Sequence, residues 1–333
     1  MKRTLGHSPQ REEDVFNIND YKIDSLDVLI NLIKDYTSKR LPNRRRRRFW
    51  PSKINLLPNI LDDLNELNNM IGMHTLKNQI VDQILFFVQG IDENVMLHTV
   101  LEGPPGTGKT TVSHIMANIY SKLGIFKKVK FNIVKRSDLI SEYLGGTTIK
   151  TMETLNRCKN GVMLIDEAYS LGSQPGQDDM YAKECVDALN EYLSENVDKI
   201  VCIIAGYQKQ LNDSFFSLNP GLKRRFPWTF TIENYTSSEL ADIYYKQVSE
   251  REWETSCKRE EISAVINKNI KAFDGNGGDI NTIIEKAMII NIRKNFGKES
   301  LYTLDLDDFK EAYDIFVLNK KSKDTSPPYG MYT

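Results

Sequence analysis

The chain has 333 residues, 40% of them apolar and 27% charged, with a formal net charge of -1. This is ordinary composition for a soluble protein with room for a large domain and a smaller one, and bulk charge selects no partner. No apolar run reaches the roughly 18 residues of a membrane helix. The basic start MKRTLGHSPQREED has no apolar segment behind it, and the four cysteines and four histidines are scattered without metal-ligand spacing. The composition therefore reads as an intracellular, cytoplasmic protein with reduced thiols and no membrane partner.

Residues 1–55 read as a basic, partly disordered N-terminal arm. Within it, DSLDVLINLIKDYTSKRL puts Leu26, Leu29, Ile30 and Ile33 on one helical face. The run Arg44–Arg48 follows, and no acidic residue lies between Asp35 and Asp62. Such a run repels itself and stays solvated. It fits a plain linker, a contact with nucleic-acid phosphates or a nuclear address. Phe49 and Trp50 come next, and aromatics beside arginines suit stacking on bases.

From 56 to 235 the pattern is α/β. Residues 62–90 read as a helical lead-in. Strands are predicted over 97–102 (LHTVLE), 128–134 (KVKFNIV), 162–166 (VMLID), 200–206 (IVCIIAG) and 228–232 (WTFTI), with helical segments between them. The nearly all-apolar third and fourth runs suit strands covered on both faces, so the expectation is a parallel five-stranded sheet with helices on both sides. From 236 to 318 the strands nearly stop. Thr236 and Glu239 form a capping box, and helices follow near 260–272, 280–296 and 307–316, making a small helical domain. Residues 319–333, polar and proline-rich, read as a disordered tail.

The segment GPPGTGKT, Gly103 to Thr110, matches G-x-x-x-x-G-K-[ST] between a strand and a helix, the context of a P-loop. Gly103, Pro104, Pro105, Gly106, Thr107, Gly108, Lys109, Thr110 and the adjoining Thr111 are the candidate nucleotide-binding residues. Gly106 and Gly108 let backbone amides wrap phosphate oxygens, and the next helix aims its positive end at the same oxygens. Lys109 reaches the terminal phosphates and Thr110 offers a hydroxyl to Mg2+. Asp166 and Glu167 end the third strand, at the sheet edge where open α/β folds bind ligands. Asp166 is placed to hold Mg2+ together with Thr110, and Glu167 to orient or deprotonate the attacking water. The expected cofactors are thus ATP and Mg2+. The N-K-x-D motif of Ras-like GTPases is absent.

With GPPGTGKT, the chain carries LISEYLGGTTIKTMETLNRCKNGVMLIDEAYSL, IIAGY and NPGLKRRF, and over roughly residues 60–297 it resembles the AAA+ ATPases grouped around stage V sporulation protein K and the red-type Rubisco activase. The resemblance implies a P-loop NTPase large domain with a helical lid, ATP hydrolysis, and self-association into a ring, a hexamer, acting on a protein client. It makes Lys109 and Thr110 the Walker A pair, and Asp166 and Glu167 the Walker B pair. Tyr143, Leu144 and Gly145 become pore-loop residues that grip a polypeptide. Arg225, or Arg224 beside it, becomes the finger that reaches a neighbour's ATP. The polar sensor after the fourth strand falls on Tyr207, with Asn212 as the alternative. One position departs from the family: Gly278 stands where relatives carry the lid's sensing arginine, leaving that task to backbone packing or to Asn281. A nucleic-acid-acting ATPase that uses the arginine-rich arm is the competing function.

Overall fold

The computed structural model describes residues 15–42, 47, 50–90, 96–126, 130–143, 145–172, 179–298 and 302–324. Five strands, β1 Thr99–Glu102, β2 Phe131–Val134, β3 Gly161–Ile165, β4 Ile200–Gly206 and β5 Trp228–Thr231, form one sheet. Its order is β2-β3-β4-β1-β5 and every pairing is parallel. β3 and β4 are buried along their whole length, as central strands of a sheet covered on both faces should be. This is the AAA+ P-loop architecture expected from the sequence.

Side chains alternate across the sheet. Leu101, Leu164 and Ile203 enter a core shared with helices α1 Leu26–Ser38, α2 Leu61–Asn68, α3 His74–Gln89 and α4 Lys109–Lys122. Val100, Met163, Ile165 and Ile204 point the other way. There they meet the one-turn α5 Arg136–Leu139, α6 Thr147–Cys158 and α7 Met180–Glu195. The short turns α8 Gln208–Gln210, α9 Phe216–Leu218 and α10 Pro220–Lys223 close this side, with a π-helical turn over Leu211–Phe215.

The arm boundary read at residue 55 needs correction. Leu26, Leu29, Ile30, Leu32 and Ile33 of α1 are buried in the main core, and Phe16 is 1% exposed against Tyr21, Tyr36 and Trp50. An apolar stripe of that width is stable only when covered. α2, α3 and the 3-10 turn Ile54–Ile60 supply the cover, and Asn68 donates to Asp27 at 2.8 Å. The lead-in read as one helix is two, broken where Gly72 and Met73 adopt left-handed φ values of 65° and 58°. Arg44, Arg45, Arg46 and Arg48 lie outside the described residues; Arg47 sits 6.0 Å from the Trp50 ring.

The smaller domain packs α11 Ser237–Ser249, α12 Arg259–Asn267, α13 Gly277–Asn295 and α14 Leu306–Asp324 around Tyr244, Ile283 and Phe309. Thr236 and Glu239 form the predicted capping box at the start of α11. Two short parallel strands, β6 Glu254–Thr255 and β7 Thr303–Leu304, escaped the sequence reading, since two residues carry no periodicity. α14 also runs beyond its predicted end, so residues 319–324, read as tail, are helical. Lys320 there pairs with Asp274 and, at 3.4 Å, with Asp279. Residues 325–333 lie outside the described residues. Among the described residues no helix is long and apolar enough to cross a membrane.

His98, at the entry to β1, is fully buried; Cys202 N–H donates to its Nδ1 at 3.1 Å. Burial pushes its pKa down to about 4, partly opposed by a contact with the Leu193 backbone. The unfolded chain therefore takes up a proton near pH 6.5 that the folded chain refuses until about 4. Stability should be complete above 6.5 and fall by roughly 3 kcal/mol as pH drops to 4. Urea denaturation across this range should show that loss in the wild type and a shallower slope in His98→Asn. Parallel profiles would remove His98 as the cause.

Candidate active site

The carboxyl ends of β1, β3 and β4 lie side by side, with Glu102 in register with Gly206 and Ile165 with Ile204. The segments that follow these strands therefore meet at one edge. Gly103 N–H donates to Gly206 O at 3.1 Å, which anchors the glycine loop to β4. Gly106 and Gly108 take φ values of 67° and 84°, and the loop then delivers Lys109 to the first turn of α4. A cleft of about 310 Å3 opens here, in which Lys109, Thr110, Asp166, Glu167, Tyr169 and Tyr207 meet. Pro105 and Thr111 also border it. Gly103 and Pro104 lie behind, with their carbonyls accepting from Lys109 Nζ at 3.0 and 2.7 Å.

Burial holds the Lys109 pKa below the usual lysine value, against the opposing pull of Asp166 and Glu167. Its ammonium lies 5.4 Å from the centroid of the Tyr207 ring, within cation-π range. Thr110 Oγ1 donates to Asp166 Oδ2 at 2.8 Å, and the Glu167 N–H donates to Asp166 Oδ1 at 3.0 Å. Glu167 itself has a left-handed φ of 52°, which turns the chain sharply after β3. Tyr169 and Tyr207 stack with centroids 5.4 Å apart. Burial, then the neighbouring Glu167 charge, pushes the Tyr169 hydroxyl up to about 12, and the same causes in the same order raise Tyr207. Tyr169 was not singled out from the sequence, although it lies within the LIDEAYSL motif two residues after Glu167. A hydroxyl and a carboxylate oxygen side by side form the hard-oxygen donor set that Mg2+ prefers. A loop whose two glycines take left-handed φ values can turn its backbone amides around phosphate. The residues present thus suit Mg-ATP: Thr110 and Asp166 would hold the metal, and the loop and Lys109 the phosphates.

The smaller domain touches this loop backbone to backbone. Gly277 N–H donates to Gly106 O at 3.2 Å, Asn276 Nδ2 to Pro105 O at 3.2 Å, and the Tyr235 hydroxyl to Thr107 O at 3.2 Å. Asn276, 1% exposed, also accepts from the Tyr235 N–H at 3.0 Å. Asn276 and Tyr235 were not predicted; nothing in the sequence pairs positions so far apart. Gly278 faces the same loop, and a Cβ built there would meet no atom within 4 Å. Asn281 is already committed, accepting from Arg251 and donating to Glu285 at 2.7 Å.

The remaining candidates lie elsewhere. Arg224 is exposed and Arg225 half-buried, and neither borders the cleft. Asn212 accepts from Lys223 at 3.1 Å and does not border the cleft, whereas Tyr207 does. Tyr143 is 77% exposed, and Gly145 has a φ of 75°; Leu144 lies outside the described residues.

Residues 99–233 match the family described as "ATPase family associated with various cellular activities (AAA)". The chain is 35% identical over 268 residues to a cfxQ-like protein of Acanthamoeba polyphaga mimivirus, covering 78% of this chain and 65% of that protein. It is 30% identical over 261 residues to stage V sporulation protein K of Bacillus subtilis, covering 73% of this chain and 80% of that protein. A RuvB mutant from Thermotoga maritima shares the fold, with a TM-score of 0.53 at 16% identity over 77% of this chain and 74% of that one. The chain belongs to the AAA+ ATPases, a class that binds and hydrolyses ATP with Mg2+. It spans just under two thirds of the length of the mimivirus relative.

Gly106 of the loop and Gly278 of the smaller domain, which face each other, make contrasting predictions. A Cβ at Gly106 would stand 2.0 Å from Gly275 O, at a φ that already disfavours any side chain by about 1–2 kcal/mol. Gly106→Ala should lower the melting temperature and weaken ATP binding, because the smaller domain must draw back. Gly278→Ala should change stability by no more than about 0.5 kcal/mol. Thermal melting and titration with a fluorescent ATP analogue decide the matter, and wild-type behaviour of Gly106→Ala would show that the close approach is dispensable.

Proposed function

We propose that this chain is an ATP-driven remodeller of a polypeptide client, working as a closed ring of six copies and related to the group around stage V sporulation protein K. The observation that carries the ATPase part is the meeting of Lys109, Thr110, Asp166 and Glu167 at one sheet edge under the glycine loop. Bound Mg-ATP supplies the transferable phosphoryl group and the metal's neutralising charge. Lys109 leaves its loop carbonyls to pair with the terminal phosphates. Asp166 and Thr110 hold the metal. Glu167 orients and deprotonates the attacking water, and Tyr207 completes the polar wall of the cleft. Arg225, with Arg224 beside it, acts on the neighbouring copy's nucleotide, which accounts for their absence from their own cleft. The exposed Tyr143 supports a polypeptide client, since a ring of such tips offers sequence-tolerant apolar grip.

Lys109→Ala should abolish ATP binding. Glu167→Gln should keep binding and lower phosphate release about a hundredfold, near 3 kcal/mol of transition-state stabilisation. Arg225→Ala should also bind ATP without turnover, and mixing it with Lys109→Ala should restore part of the activity, because each supplies what the other lacks. No recovery, with a monomer by light scattering under ATP, would exclude a finger acting between copies.

The Glu167→Gln form with ATP should trap the client. Protein in the captured fraction supports threading; nuclease-sensitive nucleic acid in its place supports the arm-directed alternative. Tyr143→Ala should melt like the wild type, its side chain being exposed, and keep basal hydrolysis while losing client-stimulated turnover. Full stimulation by that variant would end the pore-loop assignment.

A further inference from the structure

Tyr143 and the acidic pair stand on different elements, yet a few hydrogen bonds join them. β2 leads into the one-turn α5, and the loop that bears Tyr143 connects α5 to α6. Side chains of α6 take up the carbonyls at the end of α5. Thr154 Oγ1 donates to Asp138 O at 2.8 Å, Thr151 Oγ1 to Leu139 O at 3.0 Å and Lys150 Nζ to Ile140 O at 3.1 Å. α5 and α6 therefore form one unit, and the loop is tied at its base. Ser141 N–H donates to Thr147 Oγ1 at 3.3 Å, and Tyr143 N–H to Ser141 Oγ at 3.1 Å.

The turn after β3 is equally tight. Ser170 N–H donates to Glu167 O at 2.8 Å, so a displacement of Glu167 carries Ser170 with it. Ser170 O accepts from Nη1 of Arg136, the first residue of α5, at 2.5 Å. Nη2 of the same guanidinium donates to Asp179 Oδ2 at 2.6 Å. Asp179 Oδ1 in turn accepts from Ala182 N–H at 3.0 Å, the cap that begins α7. α7 then returns to the α5–α6 unit, where Glu184 Oε1 accepts from Thr148 N–H at 3.1 Å and from Thr148 Oγ1 at 2.6 Å. A planar fork of fixed donors holds a carbonyl and a carboxylate at set positions, which a flexible ammonium does not. Both bonds are charge-assisted, and the pair is partly shielded, with side chains 37% and 26% exposed.

We propose that Arg136 is the positioning residue that sets the Tyr143 loop according to the nucleotide state. When the terminal phosphate leaves, Glu167 shifts, Ser170 O follows, and Arg136 moves α5 with the loop it carries, while Glu184 keeps α6 in step. This rests on the proposed reading of Glu167 as the group that faces the terminal phosphate and of Tyr143 as the client contact.

The test uses the full chain and needs no client. All four cysteines are buried, so Tyr143→Cys provides an exposed thiol for a fluorophore that reports its surroundings. The labelled chain is loaded with ADP or with a non-hydrolysable ATP analogue, and binding of each is followed by calorimetry. With Arg136 present, exchanging one nucleotide for the other should shift the loop's equilibrium between two environments by about fivefold or more, the low end of coupling between distant sites. Arg136→Gln should bind both nucleotides and lose that shift. Asp179→Asn keeps a capping side chain on α7; it should reduce the shift, and it serves where Arg136→Gln does not fold. A merely structural tie would lower the melting temperature and leave the shift intact. An intact shift in Arg136→Gln, or in Asp179→Asn where the first variant does not fold, overturns the inference. So does loss of nucleotide binding in a folded Arg136→Gln, or a chain with Arg136 present that binds both nucleotides and shows no shift. A chain with Arg136 present that binds neither nucleotide would instead overturn the functional reading beneath it, and this inference with it.

Discussion

Gly106 O accepts from Gly277 N–H, and a side chain at Gly106 would stand inside the Gly275 carbonyl. Two domains thus touch main chain to main chain, at the loop expected to hold the phosphates. Such contact needs glycine, because any Cβ would hold the two backbones apart. Much of the functional geometry depends on this contact. A tilt of the smaller domain away from the loop would break the Gly277–Gly106 hydrogen bond. Tyr235 and Asn276 add hydrogen bonds that carry the same coupling through side chains.

Around this contact the sheet sets the chemistry. Parallel strands end together, so groups separated by dozens of residues in the chain stand at one edge. The Thr110–Asp166 hydrogen bond spans 56 residues and exists because β1 and β3 flank β4 in the order the sheet adopts. Lys109, half-buried with its ammonium on loop carbonyls and near the Tyr207 ring, is partly desolvated. A cation in that condition gains more from an arriving phosphate than a fully hydrated one would.

The amino-terminal segment shows how local pattern and tertiary packing divide the work. The stripe Leu26, Leu29, Ile30 and Ile33 announces a helix, and α1 is that helix. Its partner is not announced, because the surface that covers it belongs to α2 and α3, helices with apolar faces of their own. At the other end, the prediction that α14 stops near Phe316 followed composition. Lys320 pairs with Asp274 and Asp279, two carboxylates more than forty residues away, and residues 319–324 remain helical beyond it.

The sequence by itself determined the chemistry-bearing string GPPGTGKT, the acidic pair after an apolar strand, the five strands within a few residues, and the capping box that starts the smaller domain. Each of these is local: a glycine where the backbone must turn, a run of apolar residues where both faces are covered, a hydroxyl three residues before a carboxylate. Tertiary structure alone decided that Tyr169 stacks on Tyr207, that Asn276 and Tyr235 grip the loop, that Asn281 is occupied by Arg251, and that Arg136 joins Ser170 to Asp179. Those relations join residues far apart in the chain, and no spacing rule reaches them. They exist because strand order and domain closure bring the surfaces together, and both are set by burial summed over the whole chain.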